Sequence, residues 1–565
     1  MKKKLLFAVI IPVITLSLSG CQFISDYFSN IIDGGNGNNN YQFSQKVASS
    51  VEPISDISTP PADHLEARHA SMIYSDYIDN SAYAYSCTPS IGEAKLLVIP
   101  VWFNDSSRFI KESYKDKVRE DIGNAYFGDN DVVGWRSVRT FYEEESHGAL
   151  EIDGTISDWY EVNKSYEYYA IDDATEDNGA PKTSELVKEA TKWYFDNHSS
   201  EKRTDYDCDN DGYLDGVMLI YAAPDMIALN RDSYENLWAY CYWIQDYTVK
   251  KPSNPGLNAF FWASYDYMYG TNTALTRSGS RYSHGDTTRC SIDAHTYIHE
   301  MGHMFGLEDY YDYSEHGYSP AAGFSMQDNN VGHHDPYSSF ALGWGKAIIP
   351  NDEATIDLKP FTTSGEMIIL SPKWNSYNSA FDEYLIIEYF TSDGLNELDT
   401  TYGYMSSAGY AYPMGTKESG IRLWHVDARL LYTLTGEIKA SQLTTNVEQG
   451  AAVISVNTNT YDDGSDMTRQ YLSILASDPS EDYYNAKFAN YNLLQLIRNN
   501  NRSTYKPTDS LSSKSLFKTG DTFSMDTFSK QFVNGTKLNS GLDLGFSFTV
   551  NACNNGYASI SIKKS

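Results

Sequence analysis

His299-Glu300-Met301-Gly302-His303-Met304-Phe305-Gly306-Leu307-Glu308-Asp309 sets two histidines four residues apart, with a glutamate directly after the first. On a helix, positions four apart share one face. His299 and His303 can therefore present two imidazoles to a single zinc ion while Glu300 stays beside it, free to handle protons. Gly306, past the second histidine, can take the left-handed conformation that stops a helix and turns the chain back under the metal. That turn brings a carboxylate within reach as third ligand. Glu308, Asp309 and Asp312 are all close, and Asp309 is the one expected to point back at the ion while its neighbour points away. A glutamate from a later helix is the alternative, but none stands between Glu315 and Glu353. His295, one turn before His299, reads as a packing or capping residue rather than a ligand.

Two neutral histidines and one carboxylate leave zinc a position for water and lower that water's pKa towards about 7. Glu300 can then take the proton and pass it to a leaving amine, the chemistry of a peptide hydrolase. Downstream, Gly323-Phe324-Ser325-Met326 lies at a distance suited to a methionine-bearing turn beneath the metal. Tyr337, His333 and His334 are further candidates for stabilising an oxyanion, although surface or packing roles suit each of them better.

A second constellation is Asp207-Cys208-Asp209-Asn210-Asp211-Gly212-Tyr213-Leu214-Asp215. Oxygens from Asp207, Asp209, Asp211, Asp215 and the Tyr213 backbone, with glycine at the sixth position, give calcium-loop spacing. The twelfth position is Met218 rather than a bidentate glutamate, so a calcium ion must complete its shell elsewhere or bind more weakly. Its expected role is structural, fixing the loop that enters the strand at Gly216.

The formal net charge of -32 argues against nucleic acid and anionic lipid surfaces as partners, because a field of that sign repels polyphosphates. Lys2-Lys3-Lys4 followed by the apolar run Leu5 to Leu18 has the form of a secretory signal, and Leu18-Ser19-Gly20-Cys21 resembles a bacterial lipobox. Cleavage before Cys21 and lipid attachment to it are expected, placing the protein at the extracellular face of the membrane with that anchor as its only membrane contact. The remaining cysteines, Cys87, Cys208, Cys241, Cys290 and Cys553, are odd in number and lack metal-binding spacing.

Residues 1–20 thus read as a lipoprotein signal peptide, 21–45 as a flexible tether and 46–90 as a pro-segment or wrapping arm. Residues 91–349 read as an α/β catalytic domain. Strands are expected at Lys95 to Phe103, Leu150 to Ile156 and Gly216 to Tyr221, and helices at Ser107 to Phe127, Ser184 to Asn197 and from near Asp293 to Phe305. Residues 350–565 read as β-rich and sandwich-like, with short runs at Met367 to Leu370, Tyr384 to Phe390, Ile421 to Val426, Val453 to Val456, Gly545 to Val550 and Ala558 to Ile562.

His299 to Asp312 matches the pattern HExxHxxGLxDxYD, and together with Ser137 to Tyr142, Ser146-His147-Gly148, the Asp207 to Asp215 loop, Gly343-Trp344 and Gly420 to Asp427 it resembles the immune inhibitor A family of secreted bacterial metallopeptidases. The HExxHxxGxxD form is also similar to snapalysin, where the aspartate is a zinc ligand. The resemblance spans roughly residues 90 to 430. It implies a zincin, metzincin-like fold with Met326 in the Met-turn, Zn2+ at the active centre, and protein or peptide substrates. The sequence departs from the family at Glu308, where proline is usual, and at His295. The opposing reading is a surface binding protein or adhesin on a decayed peptidase scaffold, against which the intact Glu300 stands.

Overall fold

The computed structural model describes residues 88–170, 181–231, 236–244, 246–269, 292–307, 309–311, 320–328, 330–374, 380, 382–401, 415–428, 430–434, 443–444, 468–471, 492–500, 512–554 and 556–565. Cys21, the tether, Cys87, Cys290, Glu308, Asp312 and the run Val453 to Val456 lie outside them.

The near-continuous apolar run in β1 (Gly92–Phe103) suits a strand covered on both faces, and β1 lies inside a six-stranded sheet. It pairs in parallel with β2 (Leu150–Ile156), β3 (Tyr160–Val162) and β4 (Gly216–Tyr221). Beyond β4 the order runs through β6 (Ala259–Ser264), also parallel, to an antiparallel edge strand β5 (Tyr240–Trp243). Side chains alternate across this sheet. Leu97, Ile99 and Val101 join Leu186, Val187, Ala190 and Tyr194 of the helix Pro181–Asn197 on one face. Leu96 and Val98 face the other, against the helices Lys115–Phe127 and Val138–Glu145 and the metal-site helix His295–Met304.

The helix expected from Ser107 begins at Lys115 instead. Upstream, the Ser106 hydroxyl accepts from the Phe103 amide and a short 3-10 turn occupies Ser106–Arg108. Local side-chain bonding competes there with helix formation.

After residue 345 the chain builds three further sheets from β7 (Lys346–Ile348), β8 (Ala354–Leu358), β9 (Glu366–Leu370), β10 (Glu383–Phe390), β11 (Gly420–Asp427), β12 (Leu430–Leu434), β13 (Leu443–Thr444), β14 (Thr468–Tyr471), β15 (Leu494–Ile497), β16 (Thr522–Phe523), β17 (Phe546–Asn554) and β18 (Tyr557–Lys564). Their orders are β15-β11-β10-β9-β7, β16-β17-β18-β8 and β13-β12-β14. Every residue of β10 and β11 is buried. Tyr384, Ile386, Trp424 and Val426 pack into the same core as Met301, Phe305 and Met326, whereas Leu385, Ile387, Ile421 and Leu423 join Phe546, Phe548, Ile560 and Ile562. The five-stranded sheet is thus a partition with the metal-site helix on one side and the four-stranded sheet on the other. The whole is a mixed α/β structure.

Candidate metal centre

The metal-site helix starts one residue later than its cap suggests. Ala294 is the N-cap and makes no side-chain capping bond, while Asp293 Oδ1 accepts from the His295 amide. At the other end Gly306 has φ +91, and the Leu307 amide donates back to the Gly302 carbonyl at 3.1 Å. This is the left-handed stop that glycine allows, and it swings the following residues under the helix.

His299 Nδ1 donates to the Met326 carbonyl at 2.7 Å, and His303 Nδ1 donates to the Leu307 carbonyl at 2.8 Å. With both Nδ1 atoms committed as donors, each neutral ring keeps its lone pair on Nε2. These Nε2 atoms lie 2.9 Å and 3.4 Å from Asp309 Oδ1. Ligands around tetrahedral zinc at bond lengths near 2.0–2.1 Å stand about 3.3 Å apart, so the three donors fit one zinc ion. Glu300 is buried beside them, and burial pushes its carboxyl above the usual carboxylate range against the opposing pull of His303 and His299. Burial disfavours charge on His303, yet the charge and hydrogen bond of Asp309 push it up to about 10. Asp309 is held well below the usual carboxylate range despite its own burial, with His303 the foremost cause. Such a cluster favours positive charge between its members.

Other neighbours complete the centre. Met326 is fully buried beneath the helix, in a turn with Ala322 and Gly323 at φ +64 and +77. The Tyr311 hydroxyl donates to Asp309 Oδ2 at 3.1 Å, and its ring lies roughly parallel to that of His299. Tyr311 was legible as part of the extended motif, but its contact was not. A Cβ on Gly302 would come within 2.2 Å of Gln327 Oε1, so the second variable position of the motif is glycine where Gln327 crosses the helix. On the far side, the Cys241 thiol of β5 donates to the Glu300 carbonyl at 3.0 Å.

His295 is buried and directs Nε2 to the Asn330 carbonyl at 2.8 Å, apart from the cluster of His299, His303 and Asp309. Of the groups weighed for an oxyanion, His333 faces Glu388 at 3.4 Å and His334 lies 3.4 Å from the Tyr142 hydroxyl. Tyr337 is buried in the helix Pro336–Ala341. All three sit in the packed interior.

The acidic loop brings Asp207, Asp209 and Asp215 together, with one carboxylate oxygen from each within 4.8 Å of the others, and leaves Asp211 outside this set. Asn210 and Gly212 are left-handed, at φ +60 and +93, which curls the loop. Asp215 accepts from the amides of Cys208 and Lys95, at 3.0 and 2.7 Å, tying the loop to β1. Tyr213 donates its amide to Asp211 Oδ1 at 2.7 Å, and Met218 is buried within β4. Burial, then mutual repulsion, raises Asp211 to about 9, while burial is also the leading cause that brings Asp215 to about 7 and Asp209 to about 6. A divalent cation would relieve that repulsion. Asp207 Oδ1 is buried without a hydrogen-bond partner, as suits a cation ligand.

The model of the immune inhibitor A peptidase M6 catalytic domain matches residues 100–327, a span that includes His299, Glu300, His303, Asp309 and Met326. Immune inhibitor A of Bacillus thuringiensis subsp. alesti is 29% identical over 229 residues, which cover 38% of this chain and 31% of that protein. Pre-pro-metalloprotease PrtV of Vibrio cholerae serotype O1 is 26% identical over 224 residues, covering 36% of this chain and 22% of the relative. The matched segment is thus under a third of the length of these relatives. Residues 100–327 are thus similar to the catalytic domain of the immune inhibitor A (M6) metallopeptidases.

Proposed function

We propose that the protein is an extracellular, lipid-anchored zinc endopeptidase that hydrolyses peptide bonds of extracellular proteins. The observation that carries this reading is the convergence of His299, His303 and Asp309 beside the buried Glu300. Zinc, when bound, supplies Lewis acidity towards a water molecule and a peptide carbonyl. Glu300, kept protonatable by burial, takes a proton from the attacking water and delivers it to the departing amine nitrogen. The backbone carbonyls that hold the Nδ1 protons of His299 and His303 fix each ring so that Nε2 is turned to the metal position.

The catalytic region is read as metzincin-like, with Met326 as the Met-turn residue, and the five- and four-stranded sheets as a β-sandwich-like region. Calcium is assigned to the Asp207 to Asp215 loop, where it would stiffen the approach to β4. The charged start and apolar run before Cys21 support export and lipidation at that residue.

Purified protein should cleave casein or mucin. Glu300→Gln should keep its zinc and lose on the order of a hundredfold or more in rate. Undiminished cleavage by that variant would reject the assignment. Mass spectrometry of the native protein checks the anchor, expected as acyl chains on Cys21.

A further inference from the structure

Glu388 and Arg422 stand directly opposite one another on β10 and β11, and both side chains are buried. Removing two ions from water is costly and an apolar pair would fill the same space, so stability alone gives little reason for charges here. Their surroundings supply another. Glu388 Oε1 lies 3.6 Å from Arg422 Nη1 and 3.4 Å from His333 Nε2, while Trp424 Nε1 donates to Glu388 Oε2 at 2.8 Å. The Arg422 guanidinium lies over two rings, 3.8 Å from the centroid of Phe390 and 4.4 Å from that of Phe324.

Phe324 and His333 flank the methionine turn. The Met326 amide donates to the His333 carbonyl at 3.2 Å, and the Met326 carbonyl accepts from His299 Nδ1 at 2.7 Å. A continuous route therefore runs from the ion pair, through one residue on each side of the turn, to the carbonyl that orients a metal-binding imidazole. We propose that Glu388 and Arg422 are positioning residues for the metal centre, supplied by the β-rich region. They fix His333 and Phe324, and through these the Met326 carbonyl and the rotation of His299. The proposal rests on the reading of His299 as a zinc ligand. It also makes the five-stranded sheet part of the metal site.

The same two strands carry an internal comparison on their opposite face. Glu383 and His425 form another buried pair at 2.9 Å, with His425 against Phe532 and Glu383 accepting from the Ser540 amide at 2.7 Å. It has no contact with the methionine turn among those described.

The test uses the full chain, following zinc release to a chelator and the visible absorption of the cobalt(II)-substituted protein. Glu388→Gln should release zinc faster on the order of tenfold, the usual effect of losing an outer support of a metal ligand, and should shift the cobalt bands. Glu383→Gln should lower the melting temperature yet leave both metal readouts as in the wild type. Wild-type release from Glu388→Gln, or equal acceleration in Glu383→Gln, would overturn the proposal. Should Glu388→Gln not yield folded protein, Phe324→Leu removes the ring beneath the guanidinium and carries the same expectation, with unchanged release again the contrary result. Full zinc content in His299→Ala would instead reject the underlying metal reading, and the proposal with it.

Discussion

Asp309 and its neighbours put the third-ligand assignment on single side chains. Asp309→Ala should lower zinc content and activity together, because it removes an oxygen that lies 2.9 Å from His299 Nε2. Glu308→Ala should keep zinc, and metal analysis of the two purified variants decides between them. His147 gives a pH test away from the metal. Burial, with smaller contributions from Lys346 and His333, lowers its pKa from 6.5 to about 4. The folded state therefore binds fewer protons than the unfolded one between these values. The associated stability is fully present above pH 6.5 and is lost as pH falls through 4, with a ceiling of about 3 kcal/mol before solvent screening reduces it. Asparagine tolerates the left-handed backbone found at His147, φ +53, and does not titrate. His147→Asn should therefore flatten the fall in melting temperature between pH 6.5 and 4, and an unaltered slope would show that another group governs it.

Elements were legible in the sequence to the degree that their signals were local. The metal-site helix, its glycine stop and the returning aspartate all lie within His299 to Asp309, so spacing alone brought His299, His303 and Asp309 to one place. Strand β4 was read to its ends because Gly216 to Tyr221 is apolar throughout and bounded by the acidic loop. Strands β5 and β6 were not read, although Ala259 to Ser264 is as apolar, and the part played by Cys241 beside Glu300 went with them. The support from Glu388 and Arg422 had no sequence signal, since their meeting depends on the β10–β11 register and on how that sheet packs against the methionine turn. For the helix stop, Gly306→Ala puts a Cβ into a left-handed conformation at a cost of about 1–2 kcal/mol. Lower melting temperature and lower zinc content are expected together. Unchanged values for both would mean that the turn tolerates a side chain.

Across the whole molecule, the acidic loop is tied to β1 and the partition sheet packs into the core of the metal-site helix. The loop joins β1 to the start of β4, so a cation bound there should stabilise the central strands. Calcium added in the millimolar range to protein first stripped with chelator should raise the melting temperature, and Asp207→Asn should weaken that response. An unchanged transition in calcium-free protein would remove calcium from the description.

The partition sheet has a bearing on folding fidelity. In β10 and β11 each face carries its own buried pair: Glu388 and Arg422 face the methionine turn, while Glu383 and His425 share the opposite face with Leu385, Ile387 and Leu423. A slip of one residue would exchange the faces of an entire strand. Glu388 would then enter the company of Phe546 and Phe548 without Arg422, and a buried charge deprived of its partner costs about 3–5 kcal/mol. The same ions that orient the metal ligand thus act as a proofreading device, admitting one alignment of the strands and penalising its nearest competitor before any substrate is met.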